Sequence, residues 1–229
     1  MILTQKKQWL AVALWSVALA AFSQGEFYPG RAWNDISGQP IQAHGGGILA
    51  HDNVYYWYGE DRSPGAAGGV SCYSSTNLYD WKREGSALAR EALPVIEGRR
   101  TFLERPKTLF NQPSRKFVMW MHLEQPGYHL ARAGVATAEQ PAGPFVFLNS
   151  FQPNGNMSRD MTLYLDDDGS AYDIYSSREN YDLRICRLTD DFLSATTNDV
   201  LIASDHREGP ALFKCDGWYY LVLNCINQR

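Results

Sequence analysis

The sequence predicts an all-β fold built from repeated antiparallel sheets, and three observations carry that prediction. Long apolar runs of helical period are absent after residue 25. The chain is rich in ring residues that suit strands, with 13 Tyr, 10 Phe and 7 Trp. The third observation is a unit that is written three times and begun a fourth time. Each copy leads from a carboxylate or glycine stretch into an apolar strand, a polar turn and an aromatic strand.

The first copy is Gly45-Gly46-Gly47-Ile48-Leu49, then Asp52-Asn53, then Val54-Tyr55-Tyr56-Trp57-Tyr58. Glu104-Arg105-Pro106-Lys107-Thr108-Leu109-Phe110 with Phe117-Val118-Met119-Trp120-Met121 forms the second. The third pairs Arg159-Asp160-Met161-Thr162-Leu163-Tyr164-Leu165 with Ala171-Tyr172-Asp173-Ile174-Tyr175 across Asp166-Asp167-Asp168-Gly169. The fourth pairs Glu208-Gly209-Pro210-Ala211-Leu212-Phe213-Lys214 with Trp218-Tyr219-Tyr220-Leu221-Val222. Steps between Leu49, Leu109, Leu163 and Leu212 are about 50 to 60 residues, the spacing of propeller blades.

Two further strands are expected in each of the first three repeats. They begin at Gly69 and Leu78, at Ala133 and Gly143, and at Leu183 and Asp191. Four antiparallel strands per repeat make a β-propeller blade. About three and a half blades are counted, because the fourth copy stops after its second strand. The simplest expectation from a chain that ends mid-blade is a C-terminally truncated form of a longer protein, and a complete protein with an unusual last blade is the alternative.

Net charge is −4 with no basic patch, which argues against nucleic acid as a partner. Lys6-Lys7 precede an apolar run from Trp9 to Phe22 that is short for a membrane span. Ala21-Phe22-Ser23 then offers small residues at signal-peptidase positions. Residues 1–23 therefore read as a signal peptide in preference to a retained anchor, and residues 24–229 as the propeller domain of a secreted or periplasmic protein. An exported chain can form disulfides, but Cys72, Cys186 and Cys215 fall in or beside strands of different blades. Buried free thiols are expected, with a Cys215–Cys225 pair as the alternative. The absence of a Cys-x-x-Cys spacing speaks against zinc, and no cofactor or metal is expected.

First strands of propeller blades line the central channel, so acids at their heads would meet at one mouth. Three of the four heads carry one: Glu104, Asp160 and Glu208. Paired carboxylates in unlike environments are the usual requirement for glycoside hydrolysis. Glu208 is the candidate general acid, with Asp160 placed to raise its pKa and orient it. Glu104 is a third candidate catalytic acid at an equivalent position, which can bind hydroxyls or tune the other two. The competing reading for each is a carboxylate held by its neighbour in sequence, Arg105, Arg159 or Arg207. Sugar stacking suits exposed aromatics, for which Trp33, Trp57, Tyr128 and Trp218 are candidates, although most ring residues in these strands suit packing. Glu60, at the end of the second strand, can reach sugar hydroxyls or pair with Arg62. His44-Gly45-Gly46-Gly47 lacks the Gly-x-Ser-x-Gly elbow of a lipase partner, and the glycines are expected to permit close backbone approach. Asp166-Asp167-Asp168-Gly169 lacks the spacing of a calcium loop and reads as a hairpin turn.

The stretches Ser158-Arg159-Asp160-Met161-Thr162-Leu163-Tyr164-Leu165 and Glu208-Gly209-Pro210-Ala211-Leu212-Phe213-Lys214 resemble two signature regions of glycoside hydrolase family 43. That resemblance implies a five-bladed β-propeller, with Asp160 as the residue that modulates the acid's pKa and Glu208 as the general acid. The family's usual Asp base early in blade one is replaced here by Gln42-Ala43-His44-Gly45-Gly46-Gly47. Together with Tyr56-Trp57-Tyr58-Gly59-Glu60 and Glu104-Arg105-Pro106-Lys107, this resembles the exo-β-1,3-galactanase branch. By resemblance Glu60, Glu104, Tyr128 and Asp160 contact the terminal galactose, and the base is a Gln of a later blade, beyond Arg229. The implied reaction is inverting hydrolysis of β-1,3-galactan, with the acid and the base position roughly 6.5–9.5 Å apart. A monomer with a saccharide substrate is expected. The alternatives are a carbohydrate-binding propeller without catalysis, or a related arabinosidase or xylosidase specificity.

Overall fold

The computed structural model describes residues 27–28, 30–63 and 68–225. The expected signal segment lies outside them. Contacts divide the chain into Met1–Gly30 and Arg31–Arg229, and the second unit holds every strand given below.

Blade one is an antiparallel sheet of β1 (His44–His51), β2 (Val54–Glu60), β3 (Val70–Ser75) and β4 (Lys82–Leu88), in that spatial order. A small hairpin follows, β5 (Val95–Ile96) with β6 (Arg99–Arg100). Blade two runs β7 (Phe102–Asn111), β8 (Lys116–Glu124), β9 (Arg132–Ala138) and β10 (Val146–Phe151). Blade three runs β11 (Met161–Leu165), β12 (Ala171–Ser177), β13 (Asp182–Leu188) and β14 (Ala195–Ser204). The last sheet described pairs β15 (Arg207–Cys215) with β16 (Trp218–Cys225). First strands contact one another in sequence, β1 with β7, β7 with β11 and β11 with β15. They enclose a channel of about 550 Å³ whose wall includes Gly47, Lys107, Thr162 and Ala211.

Alternation along β8 explains why the sheets stack. Phe117, Met119, Met121 and Leu123 turn toward blade one, where they join Tyr58, Val70, Cys72 and Leu88. Val118 and Trp120 turn the other way and join Met161, Tyr175, Cys186 and Leu188 of blade three. A strand with both faces buried loses its polar alternation, which is why β8 reads as a continuous apolar run.

The fourth strands begin later than the sequence suggests. Leu78, Gly143 and Asp191 lie in turns, and the strands start at Lys82, Val146 and Ala195. The cause is a buried ring just before each strand. Trp81, Phe145 and Phe192 plug the sheets from the turns, at 1%, 3% and 5% exposure. Trp81 packs edge-on to Trp57, Phe145 packs edge-on to Tyr58, and the Trp120 indole donates to the Phe192 carbonyl at 2.7 Å.

Cys72 and Cys186 are buried free thiols, as expected. Cys215 is free and exposed. It pairs with Trp218 at one end of the last hairpin, while Cys225 faces Arg207 at the other. Seven residues of strand separate the Cys215 and Cys225 backbones by roughly 23 Å, far beyond disulfide reach.

Asp173 is out of keeping with its surroundings. It stands in β12 between Leu163 and Cys186, fully buried, with neither carboxylate oxygen hydrogen-bonded. Burial, and then the charge of Asp199, pushes its carboxyl well above the ordinary 3.8. The folded state keeps this proton while the unfolded chain releases it, so stability falls as pH rises above the ordinary value. Asp173→Asn should raise stability at pH 7 by on the order of 1–3 kcal/mol and flatten the melting temperature between pH 4 and 8. A lower melting temperature at pH 7 in thermal denaturation would contradict this.

Candidate active site

Three first strands enter their sheets through the same irregularity. His44, Glu104 and Glu208 each pair across their hairpins, with Glu60, His122 and Asn224. Regular pairing resumes at Gly47, Lys107 and Ala211, so three residues oppose two. The extra residue is left-handed each time: Gly45 at φ 59°, Arg105 at φ 54° and Gly209 at φ 60°. Such a bulge re-aims the side chain beside it, and here that side chain is the head residue. Glycine adopts this conformation without strain; Arg105 adopts it at a cost and is held by its contacts.

Blade three bulges in a different form. The Arg159 N–H donates to the Ser176 carbonyl while the Ser176 N–H donates to the Asp160 carbonyl. Arg159 and Asp160 together oppose Ser176 before regular pairing starts at Met161, and neither of the two is left-handed. Asp160 therefore stands where Pro106 and Pro210 stand in their blades, two residues deeper than Glu104 and Glu208. The three acids meet at one mouth, but they do not occupy one repeat position. In blade one the head is His44.

Asp160 Oδ2 is 2.7 Å from the Arg105 guanidinium and accepts from the Gly209 N–H at 3.1 Å. The latter bond ties Asp160 to the backbone next to Glu208. Glu208 is half-buried, and its Oε2 accepts from the Asn180 amide at 3.2 Å. Asn180 follows Arg178 and Glu179, and all three are left-handed. A run of such residues costs of order 1–2 kcal/mol each. The turn is pinned by Arg178 on Asp182 and by Glu179 on Arg159.

Glu104 belongs to a buried relay. Its Oε2 is 3.1 Å from His122 Nδ1, an ion-pair distance off the line of a good hydrogen bond. His122 Nε2 is 3.2 Å from Glu124 Oε2. The Tyr128 hydroxyl donates to Glu104 Oε1 at 2.8 Å. Glu124, fully buried, accepts the backbone N–H groups of Gln125, Leu130 and Ala131 at 3.0, 2.6 and 3.0 Å. Burial opposes its charge, yet His122 and those three donors outweigh it and lower its pKa to about 2. Burial likewise opposes the imidazolium, but Glu104 and Glu124 hold the His122 pKa above its ordinary value. His122, and then Tyr128 against some desolvation, lowers the Glu104 pKa. Glu104 is thus an ionised acceptor and cannot deliver a proton at neutral pH.

Glu60 is buried at the same mouth. It takes two hydrogen bonds from Arg62, at 2.7 and 2.9 Å, and one from the Arg105 N–H at 3.3 Å, with His44 Nδ1 also at 3.3 Å. The pair with Arg62 forms, and it forms at the mouth. Tyr128 is 42% exposed there, on the loop that Glu124 ties down. Trp33 and Trp218 are not brought to the mouth. Trp33 donates to the Tyr79 carbonyl in the turn between β3 and β4, at the far end of blade one. Trp218 opens β16 opposite Cys215, the end of the hairpin away from Glu208. Trp57 lines the channel and packs between Trp33 and Trp81.

The arginines do not hold the acids next to them in sequence. Arg105 reaches Asp160, Arg159 reaches Glu179 and Arg207 reaches Asp205. Donor atoms of Glu104, His122 and Asp160 lie within 4.8 Å of one another. Within that cluster Asp160 is paired with Arg105, and His122 lies between Glu104 and Glu124. Sequence reasoning missed His122, Glu124, Arg105 and Asn180. The signal for the first two was present: a His and a Glu two apart, closing an otherwise apolar strand.

The hairpin Asp166–Gly169 turns as expected, with the Gly169 N–H donating to the Asp166 carbonyl at 3.0 Å. In blade one, a methyl at Gly46 would stand 1.8 Å from the Tyr58 carbonyl, which accounts for the glycine run as close backbone approach.

Radially stacked four-stranded sheets, with carboxylates gathered at the heads of the inner strands, define a propeller of the glycoside hydrolase class. Residues 47–227 match the model of glycosyl hydrolases family 43, and the chain belongs to that family. Among solved structures, it is 39% identical to a family 43 β-1,3-galactosidase with galactodeoxynojirimycin, at a TM-score of 0.79, covering 86% of this chain and 73% of that one. It is 37% identical to an exo-β-1,3-galactanase from Phanerochaete chrysosporium with β-1,3-galactotriose, at a TM-score of 0.79, covering 86% of this chain. An exo-β-1,3-galactanase from Clostridium thermocellum is 38% identical, at a TM-score of 0.78, again over 86% of this chain. The chain spans 47% and 46% of the lengths of those two galactanases. No match was found among curated proteins.

Proposed function

We propose that this protein is an exported, monomeric glycoside hydrolase that releases galactose from β-1,3-galactan with inversion. The observation that carries the reading is the tie between Asp160 and the Gly209 N–H, which fixes the candidate acid Glu208 beside a second carboxylate at the mouth. Glu208 gives its carboxyl proton to the glycosidic oxygen as the bond from that oxygen to the anomeric carbon breaks. Water attacks the anomeric carbon from the opposite face and yields its proton to a base, a role assigned to none of the residues described. Glu104, kept ionised by His122, accepts hydroxyl hydrogen bonds together with Tyr128 and Glu60. The galactanase and galactosidase neighbours support the sugar and the linkage, and the apolar run near the N-terminus supports export.

Incubation of the chain with β-1,3-galactan tests the reading. Release of galactose by the wild type, but not by Glu208→Gln, is expected. Binding without release would favour a carbohydrate-binding propeller, and equal release by Glu208→Gln would remove Glu208 from the acid role.

A further inference from the structure

Lys107 takes no part in the chemistry above, yet it stands in the channel wall beneath the mouth. Its ammonium faces main-chain carbonyls: that of Gly45 at 2.7 Å and that of Arg105 at 3.4 Å. These are the left-handed residues of two neighbouring bulges. Its stem fills the space a side chain at residue 47 would need, because a methyl there would lie 2.6 Å from Lys107 Cδ. One cation thus joins the inner strands of blades one and two where they turn toward the mouth.

We propose that Lys107 is a positioning residue, a clamp that fixes the two bulges and through them the site groups. It rests on the hydrolase reading given above. The bulge it holds in β7 presents Glu104, aims the Arg105 guanidinium at Asp160 and the Arg105 N–H at Glu60. The bulge it holds in β1 presents His44 to Glu60. A charged donor grips a carbonyl more strongly than a neutral amine does, so the clamp needs the proton. Desolvation, and then the Arg105 charge, lowers the Lys107 pKa against the opposing pull of Asp160 and Glu60. His44 on β1, Glu60 on β2, Glu104 and Arg105 on its own strand, His122 on β8, Asp160 before β11, and Arg207 and Glu208 on β15 are titratable or charged groups at this end of the elements around it.

The test uses the whole chain. Lys107→Met keeps the stem and removes the charge, and Gly47→Ala keeps the charge but crowds the stem. Both should lower kcat on β-1,3-galactobiose at pH 6 by about 10- to 100-fold, the scale of a misplaced catalytic group. KM should stay within about threefold, the mark of an interaction used in the transition state. Carbon-13 lysine NMR should show one side chain titrating below the others, with the Gly45 and Arg105 amides shifting in step. Wild-type kcat in Lys107→Met, or those amides unmoved as Lys107 titrates, would overturn the clamp. A wild-type chain that cleaves nothing sinks the hydrolase reading instead, and the amide shifts then decide the clamp by themselves.

Discussion

Glu208→Gln should lower kcat on β-1,3-galactobiose by about 10²- to 10⁴-fold, the usual contribution of a general acid. The substitution keeps the shape and the capacity to accept from Asn180, so KM should change little. The structure gives a further expectation, because the loss belongs to proton donation. An aryl galactoside with a good leaving group needs little help from an acid, and on that substrate the deficit should shrink. A uniform loss on both substrates would mean that Glu208 orients the sugar. Asp160→Asn should act through geometry, since Asp160 Oδ2 holds both the Arg105 guanidinium and the Gly209 N–H.

Glu124→Gln should cost on the order of 3–5 kcal/mol of stability, the scale of a broken buried ion pair. Glutamine places a donor among three backbone N–H groups that now converge on a carboxylate, and it removes one of the two carboxylates flanking the buried His122. The loop carrying Tyr128 would then loosen, and activity would fall with stability. The linkage has a definite sign. Glu124 has its folded pKa lowered from 4.5 to about 2, so its stabilisation is complete above the ordinary value and is lost as pH falls toward 2. That shift corresponds to about 3 kcal/mol. Glu104, also lowered, works in the same direction. His122 works oppositely: its share is present below 6.5 and is lost as pH rises through its raised value. Of these groups alone, the relay is strongest between about pH 5 and 6.5. Denaturant titrations across pH would show it, and stability rising steadily through pH 8 would contradict it.

Much of this was legible in the residues. Apolar and aromatic strands recurring at blade spacing gave the stacked sheets, because each first and second strand carries its own hairpin turn. Glu104, Asp160 and Glu208 could be named because acids at strand heads stand out against apolar strands, Glu60 because it closes the second strand, and Tyr128 through its ring and the family resemblance. The bulges could not be read, since three residues against two is a property of the pairing. That is why Asp160 looked equivalent to Glu104 and Glu208 although it stands two residues deeper. Partners distant in sequence were equally hidden: Arg105 is adjacent to Glu104 but serves Asp160. Trp33 and Trp218 looked like sugar platforms by type alone. Which end of a blade an aromatic occupies depends on strand direction, and both lie at the end away from the acids.

The most direct measurement is the anomeric form of the first galactose released from β-1,3-galactotriose, followed by proton NMR before mutarotation. Attack by water opposite the Glu208 side predicts α-galactose as the initial product, with the β signal growing only later. Initial β-galactose would require a covalent intermediate and would contradict the single-displacement account.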